Sequence, residues 1–248
     1  MSTGRVFQEA VRILLQTPLP DVARDDVIAV LRANRSDLLQ FFFDAAREAG
    51  VELDGALRRA AAVFFWYASG QLADDLADGD CTYLEEPLRT GPSAAFLLAH
   101  LGYATLIESG VGADALADAA RELVRGTGPQ HLEVRAKHWD AALFREVGSG
   151  IAGRQLAAYL RVLWATTPLE GRALEVGFDL GVAAHVAADV RTGDARFHGL
   201  DAADRREILA WAQAAIARAR AHGLASIDAA LRGFEPALAK AVIPESAA

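Results

Sequence analysis

AAAVFFWYASGQLADDLADGD, residues 60–80, runs from nine apolar residues almost directly into a row of acids. The apolar part shows no polar stripe at the helical period, so a helix formed by it must be covered all round and run through the middle of a bundle. Continued at 3.6 residues per turn, that helix brings Asp74, Asp75 and Asp78 within about 100° of arc, on one face. Gly79 reads as its stop. The three carboxylates then repel one another at the negative end of the helix dipole, where something positive is expected to sit. Hard divalent cations meet that need, and Mg2+ in particular is held by one or two carboxylates while water and phosphate oxygens complete its shell. A solvated charge run at a helix end is the bland alternative. Phe64, Phe65, Trp66 and Tyr67 immediately upstream favour the metal reading, because a metal-diphosphate site at the mouth of an apolar pocket needs an oily wall beside its acids.

Outward from this stretch, 248 residues with 52% apolar content suffice for a substantial core, read as one domain over 1–248. A net charge of −8, with only two Lys among 25 basic residues, offers no basic footprint for nucleic acid. Cys81 is the single cysteine, which excludes a disulfide framework and a thiolate metal cage and suits a reducing cytoplasm. The longest apolar run is about half of what a bilayer crossing requires, so no transmembrane segment is expected.

Apolar residues recur at three and four nearly everywhere, with short breaks built from Gly, Pro, Asp and Thr, and an all-α fold follows. The expected helices cover 4–16, 21–32, 36–49, 54–78, 93–109, 113–125, 130–147, 150–166, 169–191 and 202–221, followed by a shorter C-terminal pair. On the helix over 169–191, Gly177, Gly181, His185 and Asp189 stand four apart in one line. Two readings stay open: the line borders a cavity, with His185 or Asp189 touching metal or diphosphate, or the glycines admit a neighbouring helix beside a core histidine. His131, Arg135 and His138 share a helical face and read as solvated surface, since nothing completes a zinc set. No nucleophile elbow, phosphate loop or dinucleotide fingerprint is present.

DDLAD, residues 74–78, matches the DDxxD motif of the class I isoprenoid synthases and resembles in particular that of the trans-polyprenyl diphosphate synthase family. NRSDLLQFFFDAAREAG (34–50) resembles the family's GKRLRP helix in spacing, and LRTGPSAAFLLAHLGYATL (88–106) its RRG-x-P segment. GIAGRQLAAYL (150–160) is similar to its GQ helix, and GFDLGVAAHVAADVRTGD (177–194) to the helix of its second aspartate motif. The resemblance implies an antiparallel helical bundle around a central cavity, Mg2+ ions, a prenyl diphosphate substrate and a homodimer. It implies Asp74, Asp75 and Asp78 as metal ligands that make ionisation possible, Arg89 and Arg35 as surviving diphosphate contacts, and Asp189 as the remaining acid of the second motif. Ser69 and Gly70, one turn before the aspartates, would leave room in the cavity, with Trp66 and Tyr67 as its floor or as cation-stabilising rings.

Departures from the family pattern concern the second substrate, isopentenyl diphosphate. Asn34 stands where the pattern has Lys, Asp37 replaces an arginine, Tyr67 a His, and Leu88 one of the arginine pair. Loss of those cations weakens charge-assisted bonds to phosphate. The sequence therefore points first to a terpene synthase acting on one allylic diphosphate. An elongating prenyltransferase and a non-catalytic prenyl-diphosphate-binding or regulatory subunit are the alternatives.

Overall fold

The computed structural model describes residues 2–241, which form helices and connecting turns, with no strand among the described residues. Their contacts fall into two compact units, 1–113 and 114–248, described in turn.

The first unit contains α1 (Ser2–Gln16), α2 (Asp21–Ala33), α3 (Leu38–Glu48), α4 (Leu53–Asp78) and α5 (Pro87–Glu108). α4 is its axis, with α1, α3 and α5 packed around it. Ala60 to Phe65 are wholly buried, as the absence of a polar stripe requires. α4 and α5 approach closely where the indole of Trp66 lies over Gly102, at which a Cβ would stand 2.4 Å from the ring. The indole N–H donates to the Ala99 carbonyl at 3.2 Å, and the Ser69 hydroxyl donates to the Ala95 carbonyl at 2.8 Å. α5 starts six residues before the expected boundary. Pro87 occupies its first turn, where a missing N–H costs nothing, and the interior Pro92 lies exposed near the helix start.

The second unit contains α6 (Ala113–Thr127), whose first residue falls at the division, α7 (Gln130–Arg135), α8 (Ala141–Gly148), a π-helical turn (Ser149–Arg154), α9 (Gln155–Leu163), a 3-10 turn (Glu170–Arg172), α10 (Ala173–Thr192), α11 (Ala195–His198), α12 (Ala202–Ala221) and α13 (Ala225–Lys240). The single helix expected over 130–147 is interrupted: Ala136 is extended, and Asp140 caps α8 by accepting from the Leu143 N–H. The expected C-terminal pair is one helix among the described residues, α13, with Pro236 inside it.

α10 is the axis here, touched by α9, the π-helical turn, α12 and α13. A Cβ on Gly181 would lie 2.2 Å from the Ala152 carbonyl oxygen, and one on Gly177 would lie 2.6 Å from the Ala157 Cα. Of the two readings of these glycines, the packing one describes them. The seam carries buried charge on its flanks: Asp179 accepts a bidentate bond from Arg218 of α12, and Arg161 of α9 reaches both Asp118 and Glu170.

Gly181→Ala is expected to cost about 1–3 kcal/mol, because the added carbon meets backbone that no rotamer change can move. Gly233→Ala in α13, where a Cβ meets nothing within 4 Å, is expected to be neutral or slightly stabilising. Urea melts of both variants check the contrast.

Candidate functional site

α4 ends as its sequence dictates. Gly79 adopts a left-handed conformation, and its N–H and that of Asp80 both return to the Asp75 carbonyl. No basic residue occupies the last turn, so the dipole and the acids stack unfavourably, as expected. Asp74 and Asp78 are exposed and Asp75 is half-buried.

Tyr67, Gly70, Asp74 and Asp78 form a stripe within about 80° of arc, roughly a third of a turn round from the Trp66 and Ser69 side that meets α5. A Cβ on Gly70 would meet nothing within 4 Å, so open space lies beside the helix one turn before Asp74. Burial raises the Tyr67 phenol above its ordinary value, with the Ser36 hydroxyl opposing and the Asp75 charge adding. Trp66 has a different place: its ring packs edge-on to Tyr103, 4.7 Å between centroids, within the α4–α5 seam.

Tyr83, in the turn after α4, was not among the residues singled out by the sequence. Its hydroxyl donates to Asp75 Oδ2 at 2.6 Å. Burial first, then the bond to Asp75 and that carboxylate's charge, and then Cys81, hold the phenol far above its ordinary value, so it remains a donor. An aromatic residue between buried Cys81 and Leu84, in a turn short enough to fold back on the last helical turn, is the signal that could have found it.

The two arginines carried over from the resemblance have local partners. Arg35 is exposed and stacks on Phe7 of α1, 5.4 Å from the ring centroid. Arg89, 79% exposed, pairs with Glu86 at 2.9 Å.

In the second unit, His185 and Asp189 form a buried pair with Nε2 and Oδ2 3.7 Å apart. A Cβ on Gly148 would stand 2.4 Å from the imidazole, and the Phe144 ring lies beside it, 5.3 Å between centroids. Burial lowers His185 to about 4, against the pull of Asp194, and raises Asp189 to about 7, with Asp194 adding. The imidazole is therefore neutral at neutral pH, and the pair is not an ion pair. Asp189 Oδ2 has no hydrogen-bond partner in the described residues. After α10, Arg196 bonds Asp194 at 2.7 and 2.9 Å, pairs with Glu133 and lies over the Trp139 ring. Arg154 likewise reaches Glu122 at 2.8 Å.

The donor set at the end of α4 fits a hard cation in its chemistry: three carboxylates in the last two turns, two of them exposed. Among the described residues, no three His, Cys, Asp or Glu side chains converge tightly enough to hold a metal ion by themselves. A cation kept by one or two carboxylates, with phosphate oxygens and water as its remaining ligands, matches that arrangement.

The fold is that of the isoprenoid synthases, all-α and spanning nearly the whole chain. Among solved structures, it is similar to a geranyltranstransferase from Thermotoga maritima, with a TM-score of 0.76, 15% identity, and coverage of 97% of this chain and 98% of that one. A geranylgeranyl pyrophosphate synthetase from Geoglobus acetivorans is similar with a TM-score of 0.73 and 13% identity over 95% and 97% of the two chains. A polyprenyl synthase from Caulobacter crescentus, complexed with calcium and isoprenyl diphosphate, is similar with a TM-score of 0.60 and 20% identity over 95% and 91%. No family model and no curated protein matches the sequence. No helix among the described residues is long and apolar enough to cross a membrane.

The buried pair predicts a particular pH response. Between about 4 and 6.5 the unfolded chain holds a proton on His185 that the folded chain lacks, so His185 makes stability rise with pH. Between 3.8 and about 7 the folded chain holds a proton on Asp189 that the unfolded chain has lost, so Asp189 makes stability fall with pH. The slopes oppose each other through most of this range. Asp189→Asn should unmask the rise and His185→Gln the fall, each by up to about 1.4 kcal/mol per pH unit. Urea denaturation from about pH 4.5 to 7 reads the sign of each slope.

Proposed function

We propose that the chain binds an allylic prenyl diphosphate through Mg2+ at the end of α4 and promotes its ionisation, with Asp74, Asp75 and Asp78 as the metal ligands. The observation that carries the reading is the stripe of Tyr67, Gly70, Asp74 and Asp78, which sets open space and an aromatic ring beside exposed carboxylates. Bound Mg2+ would supply the charge neutralisation that lets diphosphate depart. Asp74 and Asp78, one turn apart, present oxygen donors on the same side of α4, and the hydrocarbon chain is proposed to run along the helix past Gly70, where a Cβ would meet nothing within 4 Å. Tyr67 offers its ring as an apolar, electron-rich wall there.

Two versions of this activity differ in the second substrate. Elongation with isopentenyl diphosphate is supported by the named activities of the structural neighbours, a geranyltranstransferase and a geranylgeranyl pyrophosphate synthetase among them. Single-substrate, terpene synthase-type turnover is favoured by a specific observation: the arginines expected to serve a second diphosphate stack on Phe7 or pair with Glu86. A homodimer is also proposed. α5 carries no charged residue from Thr90 to Ile107, yet Phe96 is 67% and Ile107 61% exposed, an apolar face suited to a second copy of the chain.

Pyrophosphate release from geranyl, farnesyl and geranylgeranyl diphosphate with Mg2+ tests the activity. Release that requires isopentenyl diphosphate identifies elongation, and release without it identifies single-substrate turnover. Silence under both conditions overturns the catalytic reading in favour of a binding subunit. Asp74→Ala and Asp78→Ala should each lower the rate about 100-fold or more while leaving the fold intact. Light scattering should give twice the 26.4 kDa chain mass, and Phe96→Glu should shift it toward one chain.

A further inference from the structure

We propose that Tyr83 is a positioning residue for the Asp75 carboxylate, fixing which oxygen is presented to a cation held at the end of α4. The inference rests on the reading of Asp74, Asp75 and Asp78 as cation ligands and assigns a task to a side chain outside that set.

Asp75 is bound by both its main chain and its side chain. Its carbonyl receives the Gly79 and Asp80 N–H groups, and its Oδ2 receives the Tyr83 hydroxyl at 2.6 Å. The turn between α4 and α5 is itself pinned, because Cys81 and Leu84 on either side of Tyr83 are buried. The phenol therefore approaches from a fixed direction. A phenol carries one hydrogen, so its bond takes up Oδ2 and leaves Oδ1 as the unrestrained oxygen. An aspartate beside two further acids otherwise rotates away from them to reduce repulsion. The phenol opposes that rotation and keeps the carboxylate in one orientation whether or not a cation is present. Partners of this kind, bonded to a ligand rather than to the metal, typically change metal affinity 10- to 100-fold.

The cation can be read directly with Mn2+ as a paramagnetic stand-in for Mg2+, added to the full-length chain in the presence of inorganic pyrophosphate. The expected result is that Tyr83→Phe weakens Mn2+ binding at least about 10-fold, as followed by the free Mn2+ resonance. Unchanged affinity in Tyr83→Phe overturns the proposal, and a lowered melting temperature with unchanged affinity assigns the phenol to holding the turn alone, which also overturns it. If the unsubstituted chain binds no Mn2+ with pyrophosphate, the ligand reading of the three acids fails first and the inference falls with it, a result distinct from the other two.

A second measurement leaves the fold untouched. 3-Fluorotyrosine placed at position 83 keeps the hydroxyl, and its fluorine resonance should move when Mg2+ and pyrophosphate are added together. A stationary line under conditions where Mn2+ binds overturns the proposal.

Discussion

Three carboxylates at the negative end of a helix are held where electrostatics opposes them, and the packing of α4 supplies the opposing force. Its middle is enclosed by α1, α3 and α5, and Leu72 and Leu76 carry that burial into the last two turns, so unwinding those turns to spread the acids would expose apolar side chains. A fully buried Phe or Val contributes about 1.5–3 kcal/mol, whereas repulsion between like charges one turn apart on an exposed helix face amounts to a few tenths. The apolar term wins by a wide margin. Acids can consequently be kept in a row, ready for a cation, at little risk to the fold. The glycine stop then turns the chain back immediately, which brings Tyr83 to Asp75.

The second unit meets a different constraint with different residues. α10 is surrounded, but its seam with the π-helical turn and α9 depends on missing side chains at Gly177 and Gly181 rather than on large ones. Farther along the same line the neighbour supplies the glycine: Gly148 makes room for the His185 ring. Such a close seam buries Asp189 Oδ2 without a hydrogen-bond partner among the described residues, and burial moves both members of the pair toward their neutral forms.

Periodicity and punctuation made the all-α class and most helix positions legible, because burial on α4 and amphipathicity elsewhere leave a direct trace in residue order. The acids at 74, 75 and 78 were legible as a shared face for the same reason. Boundaries failed where a local bond outweighed pattern: Asp140 capping α8 divides an apparently continuous helix over 130–147, and Pro87 in the first turn extends α5 backward. Partners of charged side chains were not legible. Nothing in the order of residues says that Arg35 meets Phe7, that Arg196 lies between Asp194 and Glu133, or that Tyr83 reaches Asp75, since each depends on turns whose course is set by packing. The glycine line of α10 was legible as unusual, with a helix seam as one of two readings, and the order of residues could not choose between them, because a gap in one helix has no meaning until its neighbour is known.

The π-helical turn at Ser149–Arg154 sets a count. One residue more or fewer in a helix rotates everything beyond it by about 100°. Gly148 before that turn, Ala152 within it and Ala157 beyond it meet His185, Gly181 and Gly177, so the stretches before and after it must be in phase with α10 at once. Deleting a single residue from SGIAGR would leave a smoother helix and a worse lock, with one stretch turned away from its glycines. Across related chains, this segment should therefore tolerate changes of residue far more readily than changes of length.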